Sequence, residues 1–466
     1  MLKIPPRPIF RQRHAAALLT VIMVLGPIQT GYAETPKPIN WVDPTPSALQ
    51  PFDGNAEQLA ELAGDKLIFY PQSRQTITLP YTQGPKTYAN VQYMSGALVV
   101  NASSEQVGKV LADYNNYDKL YPKMTESAVQ TQDQQDGKIR SVVKYHLLVK
   151  IPFPFLTFDE DVMLQHDQRQ NSISTLVLNS PIQYGAARFE WFALKNGKTL
   201  VTLTQWGDLD RPKGFLVSTI LRALPEAKLG IPSGVEGFVL ESLRQRFNPD
   251  ATTPTVTAST NTPVMTLTSA QEGLVSKLLQ QGGTVQFNHR PIWLSMPKGP
   301  EKLWFVSSYA QMPTSIEQAK DAFMTPMHYP EIYRQVSKVT SIPVADGSLQ
   351  NDIKIAIGLG ILSIPMHLNL NFKPESEQTV RFVTTGSDVE FMQGRYSLKS
   401  LGAKTTLVGV TATGKLGEHP PLLLRLGKYL PYADYLPVVG TAPVLFDKSR
   451  AWLIKQEGKA TNKPKS

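Results

Sequence analysis

Asn101 to Met124 reads NASSEQVGKVLADYNNYDKLYPKM, and Pro313 to Val336 reads PTSIEQAKDAFMTPMHYPEIYRQV. Ser103, Glu105, Gln106, Tyr117 and Tyr121 have identical counterparts 212 residues later in Ser315, Glu317, Gln318, Tyr329 and Tyr333. Val107, Val110, Leu111 and Leu120 match the apolar Ala319, Ala322, Phe323 and Ile332. Each stretch compresses a helix, a turn and a second helix, so one unit is used twice. Ser103 is placed to cap the first helix, and Gln106 can return a bond to the cap's backbone. Ser315 and Gln318 predict the same capping box in the second copy. Asn115-Asn116 breaks the helix before a short second one that stops at Pro122.

Upstream, Leu59, Leu62, Ala63 and Leu67 recur at helical spacing and predict a helix over Asn55–Leu67; Leu274, Leu278 and Leu279 repeat the pattern. Gln75–Leu79 and Val91–Val100 read as strands. Beyond Glu126 the apolar period changes to two. Strands are predicted at Ser127–Gln132, Ile139–Val149, Thr157–His166, Ser172–Asn179, Arg188–Leu194 and Leu200–Trp206. Turn residues such as Gln135-Asp136-Gly137 and Asn196-Gly197-Lys198 join them, and such short connections imply an antiparallel sheet. Gly214 to Phe247 reads as a long terminal helix that Pro225 and Pro232 break. The second copy repeats this order, Leu430-Pro431 included, while the offset drifts from 212 to about 206 as loops lose residues.

The expected organisation is a signal peptide over 1–33, an extended leader over 34–54, a first domain over 55–247, a threonine- and proline-rich linker over 248–264, a second domain over 265–457 and a basic tail over 458–466. Lys3, Arg7, Arg11 and Arg13 precede the apolar run Ala15–Leu25, and Gly31-Tyr32-Ala33 offers small residues for cleavage. The run is shorter than the roughly 20 residues a membrane span needs. Export to a periplasm is therefore expected, and a chain without cysteine must hold itself there by its core alone. The absence of cysteine also excludes lipoprotein anchoring, thiolate metal sites and cysteine nucleophiles. Of the formal charge of +9, four positives would leave with the signal, leaving +5. Lys455, Lys459, Lys463 and Lys465 then concentrate much of the excess in the tail. No basic stripe remains to suggest nucleic acid, whereas transient contact with anionic lipid is compatible with the tail.

The phrase ASSEQVGKVLADYNNYDKLYPKM, set between a strand and a run of antiparallel strands with a long terminal helix, resembles the START-like superfamily, also called polyketide-cyclase or coenzyme-Q-binding-like proteins. Alanine-serine at the cap, Asp113-Tyr114 and Tyr121-Pro122 carry the resemblance. The second copy departs from it at the last two places, with Arg334 for the proline. The resemblance implies an α+β class and two tandem helix-grip domains, each a curved antiparallel sheet around a long C-terminal helix with a cavity between. It also implies a hydrophobic partner: a lipid, sterol, quinone or polyketide.

The residues supply matching apolar groups. Phe153, Phe155 and Phe158 surround Pro152 and Pro154, Phe189 and Trp191 share a strand face, and Trp206 ends the next strand. With Tyr145, Leu221, Met366, Leu368, Leu370, Phe391 and Tyr396 they are the candidate ligand-lining residues, although core packing is the commonest use of such side chains. Asp159 and Asp161 share one strand face, with Glu160 on the other. A carboxylate pair in a pocket could perform acid–base work, but a hydrated strand face is the commoner meaning. The orientation of His146 is left open, and alternation puts His367 on a polar face. No HExxH spacing, GxSxG elbow or dinucleotide loop occurs, so no metal, cofactor or catalytic residue is expected. The proline-broken terminal sections are apolar enough to form either a membrane-touching lip, with Arg222, Lys228, Arg425 and Lys428 near head groups, or an interface between the domains.

Overall fold

A computed structural model describes residues 37–81, 83–151, 156–214, 217–218, 221–222, 224–250, 255–258, 262–359, 362–417 and 436–461. The signal-peptide reading lies outside these residues. Asn55 caps α1 (Ala56–Ala63) by accepting from the Gln58 amide, and Gly64 ends it at φ 60°. The helix thus stops short of Leu67, which opens a strand instead. That strand is β1 (Leu67–Pro71), followed by β2 (Gln75–Leu79), β3 (Lys86–Val91) and β4 (Met94–Val100). Next come α2 (Ser104–Ala112) and α3 (Tyr117–Leu120). Six strands follow in antiparallel succession: β5 (Met124–Gln135), β6 (Lys138–Ile151), β7 (Leu156–Arg169), β8 (Ser172–Asn179), β9 (Gly185–Ala193) and β10 (Thr199–Gly207). A 3-10 turn at Pro225–Leu229 and α4 (Ile231–Phe247) complete the first half, with the break at the predicted prolines.

The second half repeats the order. After β11 (Val256–Ala258) come α5 (Ser269–Leu279), β12 (Val285–Asn288), β13 (Ile292–Met296), β14 (Gly299–Leu303) and β15 (Val306–Met312). Then follow α6 (Ile316–Met324), α7 (Tyr329–Ile332), β16 (Val336–Pro343), β17 (Leu349–Leu359), β18 (Leu362–Ser376), β19 (Thr379–Ser387), β20 (Phe391–Gly402), β21 (Thr405–Lys415) and α8 (Leu436–Thr461). The Ser103–Gln106 capping box forms with both bonds. In the second copy the Gln318 amide reaches the Ser315 hydroxyl, but its side-chain oxygen accepts from the Thr314 and Ser315 hydroxyls in place of the Ser315 amide. Pro431 lies outside the described residues. Among those described, no helix is long and apolar enough to cross a membrane.

The two half-sheets are not separate. One sixteen-stranded sheet runs β16-β17-β18-β19-β20-β21-β15-β12-β1-β4-β10-β9-β8-β7-β6-β5, so the order mirrors itself about the β1–β12 pair. Residues opposite one another in a ladder share a face. The row Phe189, Leu203, Gly96, Phe69, Gln286, Ser308, Val410, Tyr396 therefore marks one continuous inner face across both halves. Both terminal helices lie on it. Leu240 and Glu236 of α4 come so close to Gly96 that a Cβ there would sit 2.6 Å from the Leu240 methyl. The Gln286 amide donates to Val439 O of α8 at 2.9 Å. On the outer face, α1 and α5 seal the seam with a shared core of Leu59, Leu62, Ile68 and Tyr70 against Val275, Leu278 and Phe287.

The segment expected to be an extended leader is docked rather than free. Trp41, Thr45, Ala48 and Leu49 are buried, Ser47 donates to Glu190 at 2.8 Å, and Gln50–Phe52 form a 3-10 turn. The threonine-rich segment is anchored likewise. Its Val256–Ala258 pairs in parallel with β13, Thr262 accepts from Gln393 at 3.0 Å, and Asp250 holds Arg244 at 2.8 Å and Lys302 at 2.7 Å.

Candidate functional site

The inner face of the first half combines an aromatic core with two buried polar groups. Tyr121, Tyr117 and Tyr145 succeed one another at centroid distances of 5.1 and 5.8 Å, and Tyr114 stacks on His166 at 4.6 Å. The Tyr117 hydroxyl donates to Leu111 O at 2.6 Å, and its counterpart Tyr329 donates to Phe323 O at 2.9 Å. The repeated tyrosines are thus pins that fix the turn after α2 and α6. His166 differs. Its Nε2 meets the Tyr145 hydroxyl at 2.7 Å and its Nδ1 the Thr175 hydroxyl at 2.9 Å. Burial pushes its pKa down to about 3 against the opposing pull of Asp167, so the ring is neutral, with one nitrogen donating and the other accepting.

Glu236 is the second group. It is fully buried, and neither carboxyl oxygen has a partner among the described residues. Burial raises its pKa well above the usual carboxylate range, so it is held as an acid able to donate and accept. Ser233, one turn earlier on the same face of α4, also has a buried hydroxyl without a partner among the described residues. With the offset of 206 found at the proline breaks, Glu236 stands where the second copy has Ala442. The polar group therefore belongs to the first half alone. Sequence reading passed over both His166 and Glu236, since neither lies in a motif; the glutamate-for-alanine difference between aligned copies was the available signal.

The candidate lining residues separate by face. Tyr145, Phe189 and Trp191 lie on the inner face with Val143, Val162 and Leu164. Trp191 is roofed by α2, where a Cβ on Gly108 would approach the indole to 3.2 Å. Met366, Leu368, Leu370 and Tyr396 lie on the inner face of the second half, in a core with Phe446 and Leu453. Leu221 is buried. Trp206 and Phe391 must be corrected, because strand alternation turns both outward. Trp206 meets Tyr88 edge-on at 4.8 Å beneath the β2–β3 hairpin, and Phe391 packs with Leu294, Leu303 and Phe305 beneath β13–β14. Phe153 and Phe155 lie outside the described residues. Phe158 is placed by its backbone alone, opposite Val149.

Asp159 and Asp161 are on the outer face. Asp161 bonds His146 at 2.9 Å and Lys144 at 3.1 Å, and Asp159 stands 3.4 Å from His146, all partly exposed. Burial works against ionising Asp161, but hydrogen bonds from His146 and Lys144 lower its pKa. This is a hydrated ion cluster outside the inner face. Glu160 points inward, its pKa raised by burial and by its two acidic neighbours. His367 is half-exposed beside Asp352, as alternation predicts. Of the terminal sections, Glu226 stands 3.5 Å from Lys448 of α8 and 3.8 Å from Arg334, so the first proline break contacts the second half. Lys228 pairs with Asp210 and Arg222 is exposed, whereas Arg425 and Lys428 lie outside the described residues.

Two copies of one antiparallel strand order, each with its terminal helix laid across the inner face, make this an α+β protein of tandem helix-grip architecture. No protein-family model matches the chain, and no curated protein matches it. Among solved structures it is similar to the di-domain aromatase/cyclase StfQ of the steffimycin biosynthetic pathway, at 11% identity and a TM-score of 0.26, covering 78% of this chain and 99% of that one. It is also similar to a START superfamily protein from Mycobacterium smegmatis (15% identity, TM-score 0.27, 33% of this chain and 98% of that one). A STAR-related lipid transfer protein from Xanthomonas axonopodis stands at 11% identity and a TM-score of 0.27, with 37% and 94% covered. At such TM-scores the fold assignment rests on the strand order itself.

Proposed function

We propose that this chain binds a hydrophobic molecule on the inner face of its first half and carries it in the periplasm. The observation that supports this best is incomplete burial where a filled core would seal. Val143, Tyr145 and Trp191 are sealed, yet Val162, Leu164 and Phe189 beside them, and Phe238 and Val239 on α4, are only partly buried. An apolar body laid on them would complete the core, and about ten methylenes at roughly 0.8 kcal/mol each would contribute close to 8 kcal/mol before binding costs. Glu236 and Ser233 supply unpartnered polar atoms on the helix above that face, suited to an uncharged hydroxyl or carbonyl. The basic and then apolar composition of residues 1–33 supports export.

Solvent extraction and native mass spectrometry of the purified full chain test this reading. The expected result is a stoichiometric apolar molecule that is lost in Leu164→Asp. Protein that repeatedly emerges empty and takes up neither a fluorescent fatty acid nor a phospholipid would overturn it.

A further inference from the structure

A cavity lies on the outer face of the sheet, opposite the proposed apolar surface, and has a different chemistry. It encloses about 330 Å³ between the docked leader and the outer face of β6 to β9. Trp41 and Asp43 form the leader's wall, and Lys138, Arg169, Ser174 and Arg188 each come from a successive strand. Ladder register explains the convergence. Arg140, Asp167, Ser174 and Arg188 are direct cross-strand neighbours in one outward row, and Lys138 and Arg169 lie two residues further along β6 and β7 on the same face.

Positive charge is in surplus there. The Asp167 carboxylate, almost fully buried, accepts from Lys138 at 2.7 Å, Arg140 at 3.2 Å and Gln165 at 2.9 Å, so one anion answers two cations. Arg188 and Asp43 satisfy each other at 2.8 Å. Arg169 is exposed at the mouth and has no ion pair among the described residues. An independent feature points to an acceptor. Trp41 is 7% exposed, and its indole N–H, buried in the leader's wall, has no partner among the described residues. Buried donors in folded proteins nearly always find an acceptor.

We propose that this cavity binds an oxyanion, a phosphate group carried by a small molecule or by a lipid head group. Arg169 and Lys138 would answer its charge, and the Ser174 hydroxyl and Trp41 indole would complete its hydrogen bonds. Arginine's planar fork suits such oxygens, and the volume suits a small ligand. The site is on the face opposite the proposed apolar one, so either can fail without the other.

Calorimetric titration of the full chain with inorganic phosphate and with sn-glycerol 3-phosphate, beside cosedimentation with phosphatidylcholine vesicles with and without phosphatidylglycerol, tests the proposal. Saturable binding in solution identifies a free phosphate compound, and sedimentation only with phosphatidylglycerol identifies a head group. In either case Arg169→Gln should weaken binding at least tenfold without moving the unfolding midpoint, and Trp41→Phe, which keeps the ring and removes the donor, should weaken it less. Absence of binding in both assays, or binding unchanged in both variants, would overturn the proposal.

Discussion

The hydroxyl of Tyr145 and Nε2 of His166 lie 2.7 Å apart inside the first half, and Thr175 holds the ring's other nitrogen. Burial keeps the imidazole neutral, with its pKa at about 3 against 6.5 for an ordinary histidine. The unfolded chain therefore binds more protons between those values, and stability falls as pH drops through them. From pH 7 to pH 4.5 this single group should cost about 2–3 kcal/mol. His289, pushed down to about 4 by burial and by Lys66, acts in the same sense. In urea denaturation, His166→Gln should lose less stability on acidification than the wild type, by about 2–3 kcal/mol. Parallel losses in the two proteins would show that the ring is not buried neutral.

Glu236 has the opposite sign. Its raised folded pKa means that its contribution is intact below the unfolded carboxylate pKa and is lost as pH rises toward the folded value. Glu236→Gln keeps the shape and removes the ionisation. The variant should be the more stable at pH 8, and its advantage should grow by about 1.4 kcal/mol per pH unit on the rising limb. An advantage independent of pH between 5 and 8 would place the carboxyl in contact with solvent or a cation.

The contrast between these groups and the helix caps shows what was legible. Ser103 and Gln106 act through three residues of backbone, so their spacing alone announces the box. The second box failed for a neighbour's reason: Thr314 competes for the Gln318 side chain, a tertiary detail. Asp113-Tyr114 and the alternating strands were readable for the same local reason as the first cap. The seam was not. Leu67–Pro71 is a short, wholly apolar run without alternation, buried on both faces, and such a run resembles the end of the preceding helix. Trp206 and Phe391 sit at strand ends, where a one-residue uncertainty in register moves a side chain to the other face. His166 and Glu236 draw their chemistry from burial by distant elements, which no local spacing encodes.

Gly230, which begins α4, approaches the backbone of Gly440 in α8 so closely that a Cβ would overlap the Gly440 carbonyl. Backbone cannot rotate out of the way as a side chain can. Gly230→Ala should therefore destabilise by about 1–3 kcal/mol, the usual cost of forcing atoms into a packed contact. Gly234 is the control, because nothing lies within 4 Å of its Cβ position. Gly234→Ala should gain up to about 1 kcal/mol from helix propensity. Equal effects in guanidinium unfolding would mean that α4 and α8 do not meet at this point.

The β1–β12 seam is only three residue pairs long, Leu67–Asn288, Ile68–Phe287 and Phe69–Gln286. Its hydrogen bonds alone would not make two halves cooperative. Side chains do so on both faces: α1 and α5 bury Ile68 and Phe287 in one outer core, and α4 and α8 meet across the inner face. Separating the halves would expose fully buried Phe287 and break the Glu226–Lys448 ion pair. The full chain should thus unfold in one calorimetric transition, although tandem domains commonly unfold in separate steps. Phe287→Ala should lower that transition by about 3–5 kcal/mol while leaving it single, with Trp191 reporting on the first half and Trp452 on the second. Two resolved transitions in the wild type, or movement of one half alone in the variant, would show that the continuous sheet does not couple the halves.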